Sequence, residues 1–187
     1  MKLTTLELSQ KRYYSFEAIC HSFYIVKEQG KDINWRQPLL QKSQIVTSVT
    51  LSKHPFADGA MRYAFYMQDL DIGQQMVAKL PKNINPASYN LEHMKLDIEA
   101  MFICQHIVNE FNERIIDKQD DKLLTEFVHS FIYEFTDADV KYKYAYAENF
   151  ILGKYQKFNN NAGWRTTQDS KQSYIAQTLS HFSWQLT

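Results

Sequence analysis

Several charged and polar side chains stand where packing alone would not ask for them. In Pro55-Phe56-Ala57-Asp58-Gly59-Ala60-Met61-Arg62 a small-residue turn separates two alternating segments. Such a turn can bring backbone N–H groups close to an anion, and Arg62 would add charge. The same residues also suit a plain hairpin turn with an exposed arginine. Lys79 falls in the middle of the apolar strand Gln75-Met76-Val77-Ala78-Lys79-Leu80, so its ammonium group must snorkel to solvent or be paired. Glu148 ends another apolar segment, where a connecting chain could offer backbone groups to a flat ligand edge. Beyond it, Lys154, Tyr155, Lys157 and Phe158 precede Asn159-Asn160-Asn161-Ala162-Gly163, which is good turn chemistry in its own right. His181 is a lone imidazole near the end of the sequence.

These residues need elements to position them. Residues 4–29 predict a helix, with Leu6, Tyr13, Phe16, Ile19, Cys20, Phe23 and Ile25 at roughly helical spacing before Gly30. Lys31–Lys42, with Trp35 and Pro38, reads as a connector. The period then changes to two. Ile45, Thr47, Val49 and Leu51 form one strand, and Met61, Tyr63, Phe65 and Met67 share a face of the next. Its other face carries Ala60, Arg62, Ala64 and Tyr66. Asp71-Ile72-Gly73-Gln74 predicts a hairpin turn into the Lys79 strand, which Pro81 ends. By alternation Arg62 and Lys79 can project from one side of a sheet.

From Ser88 onward Met94, Ile98, Met101, Cys104, Val108, Phe111 and Ile115 form one long apolar stripe, the clearest helix in the sequence. The run 117–122 reads as a charged, solvated segment. Glu126–Phe135 and Tyr142–Phe150 predict two strands joined around Asp137 and Asp139, and Ser170–Phe182 predicts a closing helix. The order implies an α+β fold with a mainly antiparallel sheet and one long helix.

Balanced charge, 21 basic against 21 acidic residues, gives no electrostatic case for a nucleic-acid partner. Hydrophobic residues make up 44% and aromatics 14% of the 187 residues, enough for a packed domain. No apolar run reaches membrane-span length, and the start lacks the apolar core of a signal peptide, so a cytoplasmic location is the expectation. Cys20 and Cys104 are read as buried free thiols rather than a disulfide framework.

The separated segments resemble, in order, the motifs of the alpha-kinases, which are atypical serine/threonine protein kinases. Pro55–Arg62 is similar to the family's P-F-A-x-G-A-M-R loop, Val77-Ala78-Lys79 to its V-A-K strand, and Glu148-Asn149-Phe150-Ile151 to its E-x-F-(I/L) hinge. Gly153–Gly163 resembles G-K-Y-x-K-Y-N-x-N-x-G. The resemblance implies a protein-kinase-like N-lobe, reaching about residue 148 of a domain over 41–187, with a hinge and the start of a C-lobe after it.

It also implies transfer of the ATP γ-phosphoryl group to serine or threonine of a protein substrate, with magnesium. Gly59, Ala60, Met61, Arg62 and Lys79 would meet the ATP phosphates, Asp97 would partner Lys79, and Glu148 and Ile151 would meet adenine. Met101 stands where the family often has glutamine. His181 resembles a ligand of the family's structural zinc, whose other ligands come from an H-x-C-x-x-x-C stretch not found here. The D-(L/I)-Q-G segment that carries the family's catalytic aspartate is also not among the 187 residues. The chain alone is therefore expected to be inactive in transfer; the alternative is a pseudokinase-like ATP- or protein-binding module. Residues 1–40, read as a helical extension without a family motif, are where a partner or oligomer contact is expected.

Overall fold

The structure is a computed structural model that describes residues 12–27, 29–30, 32–35, 37–85, 89–116, 124–137, 141–160 and 162–186. Seven strands form one sheet: β1 (Tyr13–Ile25), β2 (Leu40–Ser52), β3 (Ala57–Asp58), β4 (Arg62–Asp69), β5 (Gln74–Pro81), β6 (Ser130–Phe135) and β7 (Tyr144–Asn149). Their order is β2-β1-β6-β7-β5-β4-β3, and β2 also pairs with β4. Every pairing is antiparallel. The extra pairing of Val49–Leu51 with Met67–Asp69 closes six strands into a barrel, and the short β3 pairs with Tyr63 and Ala64 farther along the same edge of β4. Closure removes much of the free edge that an open sheet would present.

The barrel interior follows from alternation. Ala18, Val49, Leu51, Phe65, Met67, Met76, Ala78, Leu80, Tyr133, Phe135, Ala145 and Ala147 are buried together. Each fully buried large apolar side chain contributes roughly 1.5–3 kcal/mol, so this cluster fixes which face of β4, β5 and β7 turns outward. Gly73, at a φ of 67°, closes the β4–β5 turn. Asp69 Oδ1 accepts the amides of Asp71 and Ile72 at 3.2 Å there. Glycine suits that positive φ because it has no Cβ to clash.

The helix expected from residue 4 is corrected: Tyr13–Ile25 is a strand, and residues 4–11 lie outside the described residues. This strand sits inside the sheet between β2 and β6, so the described part of 1–40 is not a helical extension. Its spacing misled because both faces are covered. Ala18 packs in the core while His21 and Phe23, of opposite parity, are also buried. Burial on both faces erases the period of two. Aromatic and β-branched content, from Tyr13 through Ile25, was the better guide.

Two helices complete the described structure, α1 (Leu91–Ile116) and α2 (Lys171–Leu186). Asn90 caps α1 by accepting the amide of His93 at 2.9 Å, and Ser170 caps α2 through the amide of Ser173 at 3.2 Å. Along α1, Met94, Ile98, Val108 and Phe111 are buried. Cys104 is exposed, so the expectation of two buried thiols fails there; Cys20 is partly buried. Residue 104 falls to the side of the buried stripe.

The chain divides into two compact units. The first takes residues up to Ala100 and Val128–Phe150, and holds the barrel and the start of α1. The second takes Met101–Phe127 and Ile151–Thr187. Within it Phe111 packs on Phe182 with centroids 5.5 Å apart, and Asn112 is bonded twice to the backbone of Thr125. The segment 117–123 lies outside the described residues. No helix among the described residues is long and apolar enough to cross a membrane.

Candidate functional site

The outward face of β4, β5 and β7 gathers the polar residues of the first unit. Ala64 pairs with Lys79 and Lys79 with Tyr146, while Tyr66 pairs with Val77 and Val77 with Glu148. Parity then places Arg62, Ala64, Tyr66, Val77, Lys79, Tyr146 and Glu148 on one face, opposite the core. Lys79 Nζ meets Glu148 Oε2 at 2.6 Å. This is a diagonal cross-strand pair, within reach of long side chains. Its side chains are 37% and 23% exposed, so solvent reaches both. A pair this wet adds on the order of 1 kcal/mol or less to stability.

Arg62 is held differently. Its guanidinium lies over the Tyr146 ring, 4.3 Å from the centroid, and Nη2 donates to Asp97 Oδ2 at 3.4 Å. The Tyr146 hydroxyl donates to the same oxygen at 2.5 Å. Burial, and then the bond to Asp97, raise the Tyr146 pKa and keep that proton in place. The expected Lys79–Asp97 pairing is thus corrected. Glu148 holds Lys79 from the neighbouring strand, and Asp97, in the first turns of α1, holds Arg62.

The turn before Arg62 is tight. Gly59 N–H donates to the Arg62 carbonyl at 3.0 Å, and a Cβ at Gly59 would stand 3.2 Å from that oxygen. The Gly59 amide therefore shapes the turn. Met61 is 75% exposed, and its carbonyl accepts from Lys82 N–H at 2.9 Å. Lys82 also pairs with Asp58. Four residues along β4 from Arg62, Phe56 stacks on Tyr66 at 4.1 Å, and Tyr66 lies 5.8 Å from Phe150. At roughly 3.3 Å per residue the cationic and aromatic ends stand about 13 Å apart along the strand. Such a face suits an elongated ligand with an anionic end and a flat end.

Tyr146, Tyr66 and Phe56 did not emerge from the sequence as site residues. The available signal was parity, because Tyr146 lies two residues before Glu148 in an alternating strand. The Phe150 amide donates to the Gln75 carbonyl at 3.0 Å and closes the β5–β7 ladder. Ile151 follows as the first residue of the second unit, 65% exposed.

In the second unit the asparagine loop is a small closed turn. Asn160 Oδ1 accepts the amides of Ala162 and Trp164 at 2.9 Å, and Asn159 bridges Arg165. Gly163 takes a φ of 82°. Asn161 lies outside the described residues. His181 is exposed on α2, with Nε2 3.2 Å from Gln185 Nε2. Among the described residues no group of three or more His, Cys, Asp or Glu could hold a metal ion. His181 by itself does not make a zinc site.

The family model "Alpha-kinase family" matches residues 57–187. Alpha-protein kinase 1 of Dictyostelium discoideum is 37% identical over 145 residues, 76% of this chain and 10% of that protein. Myosin heavy chain kinase B of the same organism is 29% identical over 160 residues, 82% of this chain and 20% of that protein. The chain thus spans a tenth to a fifth of the length of these two relatives. Among solved structures, the alpha-kinase domain of myosin-II heavy chain kinase A in complex with AMP-PNP gives a TM-score of 0.70 at 19% identity. That match covers 92% of this chain and 73% of that one. An alpha kinase from Entamoeba histolytica gives 0.66 at 16% identity, covering 94% and 68%. The fold is theirs, and strands β1 and β2 precede the residues matched by the family model. From the matched residues and the shared fold together, the chain belongs to the alpha-kinase family.

Proposed function

We propose that the outer face of β4, β5 and β7 binds ATP, as the nucleotide-holding part of an alpha-type serine/threonine protein kinase. The observation that carries this reading is the placement of two cations, Arg62 and Lys79, on one face with each held by an acid. Glu148 fixes the lysine and Asp97 the arginine, so both charges are presented before any ligand arrives. Preorganised charge of this kind is what phosphoryl transfer asks of a protein, since catalysis there is mostly positioning and electrostatic stabilisation.

In this reading Lys79 and Arg62 take the phosphates, and the turn Gly59-Ala60-Met61 lies over them. Glu148 acts through its side chain on Lys79, which shifts its role from the adenine to the phosphate end. Magnesium would be held mainly by the nucleotide's own phosphate oxygens and water, since among the described residues no group of three or more His, Cys, Asp or Glu could hold it alone. The γ-phosphoryl group would pass to serine or threonine of a protein substrate in the complete kinase.

The test is calorimetric titration of the 187-residue protein with ATP and magnesium. Saturable binding and a ligand-dependent rise in Tm are expected, and both should disappear in Lys79→Ala. Absence of binding by the unaltered protein would overturn the reading. In a transfer assay on a basic protein these 187 residues, which carry no D-x-Q-G segment, are expected to give no product. Turnover that depends on Lys79 would reverse that expectation.

A further inference from the structure

We infer that Tyr146 is a positioning residue for Arg62, releasing it to phosphate without leaving Asp97 unsatisfied; this rests on the nucleotide reading of the same face. One carboxylate oxygen, Asp97 Oδ2, serves two donors. The tyrosine bond is 2.5 Å and the arginine bond 3.4 Å, so the arginine arm is the weaker and the easier to exchange. When a phosphate draws the guanidinium away, Asp97 keeps its hydroxyl partner and no acceptor is stranded.

The ring has a second part in this. With the guanidinium 4.3 Å from its centroid, Tyr146 supports the arginine from one side and limits the directions in which it can swing. Tyr146 itself is 8% exposed, fixed in β7 between Ala145 and Ala147, which are both buried in the barrel. A rigid strand thus carries the platform while the long arginine side chain moves upon it. Lys79 has no such arrangement: its acid partner is the one ion-pair contact seen for it among the described residues. The two cations therefore differ in how they are released to a ligand.

The experiment compares ATP with adenosine on the 187-residue protein, because adenosine lacks the phosphates that Arg62 would meet. Arg62→Ala should weaken ATP about tenfold or more and leave adenosine unchanged. Tyr146→Phe keeps the ring and removes the hydroxyl, and should weaken ATP about two- to threefold. Tyr146→Leu removes both and should weaken it about fivefold or more, again with adenosine unchanged.

If Arg62→Ala lowers ATP affinity while Tyr146→Phe and Tyr146→Leu keep the unaltered ATP-to-adenosine ratio, the positioning inference is wrong and the nucleotide reading stands. Equal losses for both ligands in the tyrosine variants would show a merely structural role and also overturn it. If Arg62→Ala changes neither ligand, the phosphate role of Arg62 fails first. Should Tyr146→Leu not fold, the near-isosteric Tyr146→Phe decides alone through the same ratio.

Discussion

The barrel holds two polar clusters, one on each face of the sheet, and they are built on opposite rules. Inside, Asp69 is 1% exposed and accepts four bonds from neutral donors. Thr47 Oγ1 reaches it at 2.6 Å, the Tyr133 hydroxyl at 2.9 Å, and the amides of Asp71 and Ile72 at 3.2 Å. No cation is among these partners. Outside, Asp97 and Glu148 each meet a cation, and side chains of both pairs remain in contact with water. The inner cluster is fully satisfied and leaves little for a ligand to exchange. The outer one is made of bonds that a better anion can replace. Burial with neutral donors makes structure, and half-exposure with paired charges makes a site.

The widest separation between the two should come from Asp69→Ala. It strands the hydroxyls of Thr47 and Tyr133 inside the barrel and opens the turn that Asp69 braces. A loss of about 3 kcal/mol in unfolding free energy is expected, read by urea denaturation. At temperatures where the variant remains folded, its ATP affinity should match that of the unaltered protein. A stability change below the measurement error would mean that the inner cluster is not what closes β2 onto β4.

Lys79→Ala is the mirror experiment. It removes a solvent-reached ion pair, so the unliganded Tm should move little, within about 0.5 kcal/mol of stability. The ATP-dependent rise in Tm should be lost. Glu148→Gln should fall between the two proteins in ATP affinity, because the lysine keeps a polar neighbour but no charge to hold it. A large drop in unliganded stability for Lys79→Ala would erase the contrast between the faces.

Much of the outer face could be read from residue order. Alternation in β4 and β5 placed Arg62 and Lys79 on a common side, and Gly73 marked the hairpin that sets their register. Those signals are local, spanning a few residues each. What the sequence did not carry was the choice of partners. Asp97 reaches Arg62 because the first turns of α1 lie beside β7, and no spacing along the chain encodes that placement. Glu148 reaches Lys79 across strands separated by 69 residues. The inner cluster was hidden for a related reason: Asp69 ends an alternating strand, and its partners Thr47 and Tyr133 lie on strands that only the closed barrel brings to it. Strand β1 was lost to burial on both faces, which removes the polar face that periodicity needs.

Tyr133→Phe tests the inner cluster more gently than the loss of Asp69. The hydroxyl donates to Asp69 Oδ2 at 2.9 Å and also lies 3.3 Å from Met76 Sδ. Removing it leaves Asp69 with three of its four donors, at a cost of about 1–1.5 kcal/mol. Nucleotide affinity is again expected to be unchanged. Paired with Asp69→Ala, the two losses should not add, since the hydroxyl's bond to the carboxylate is already gone and only the weaker contact with Met76 Sδ remains to be lost; a double-mutant cycle measures this.

Tyr89 gives the smallest effect and the finest test, because it ties the strand that carries Tyr146 without belonging to either cluster. Its hydroxyl accepts the Tyr144 N–H at 2.9 Å and donates to the Tyr144 carbonyl. Burial pushes its pKa up to about 12, against roughly 10 in the unfolded chain. A proton held more tightly when folded contributes stability that is fully present below about pH 10 and is lost as pH rises toward 12. Tyr89→Phe should cost about 1 kcal/mol at neutral pH and should flatten the fall in stability across that alkaline window. Tyr133 and Tyr146 are also raised by burial, so a residual slope will remain in the variant. The difference between the two curves isolates Tyr89. If the curves run parallel between pH 10 and 12, the Tyr89 hydroxyl is not buried in solution as it is here. The ATP-to-adenosine ratio, set by Arg62 and Tyr146, should be the same in both proteins.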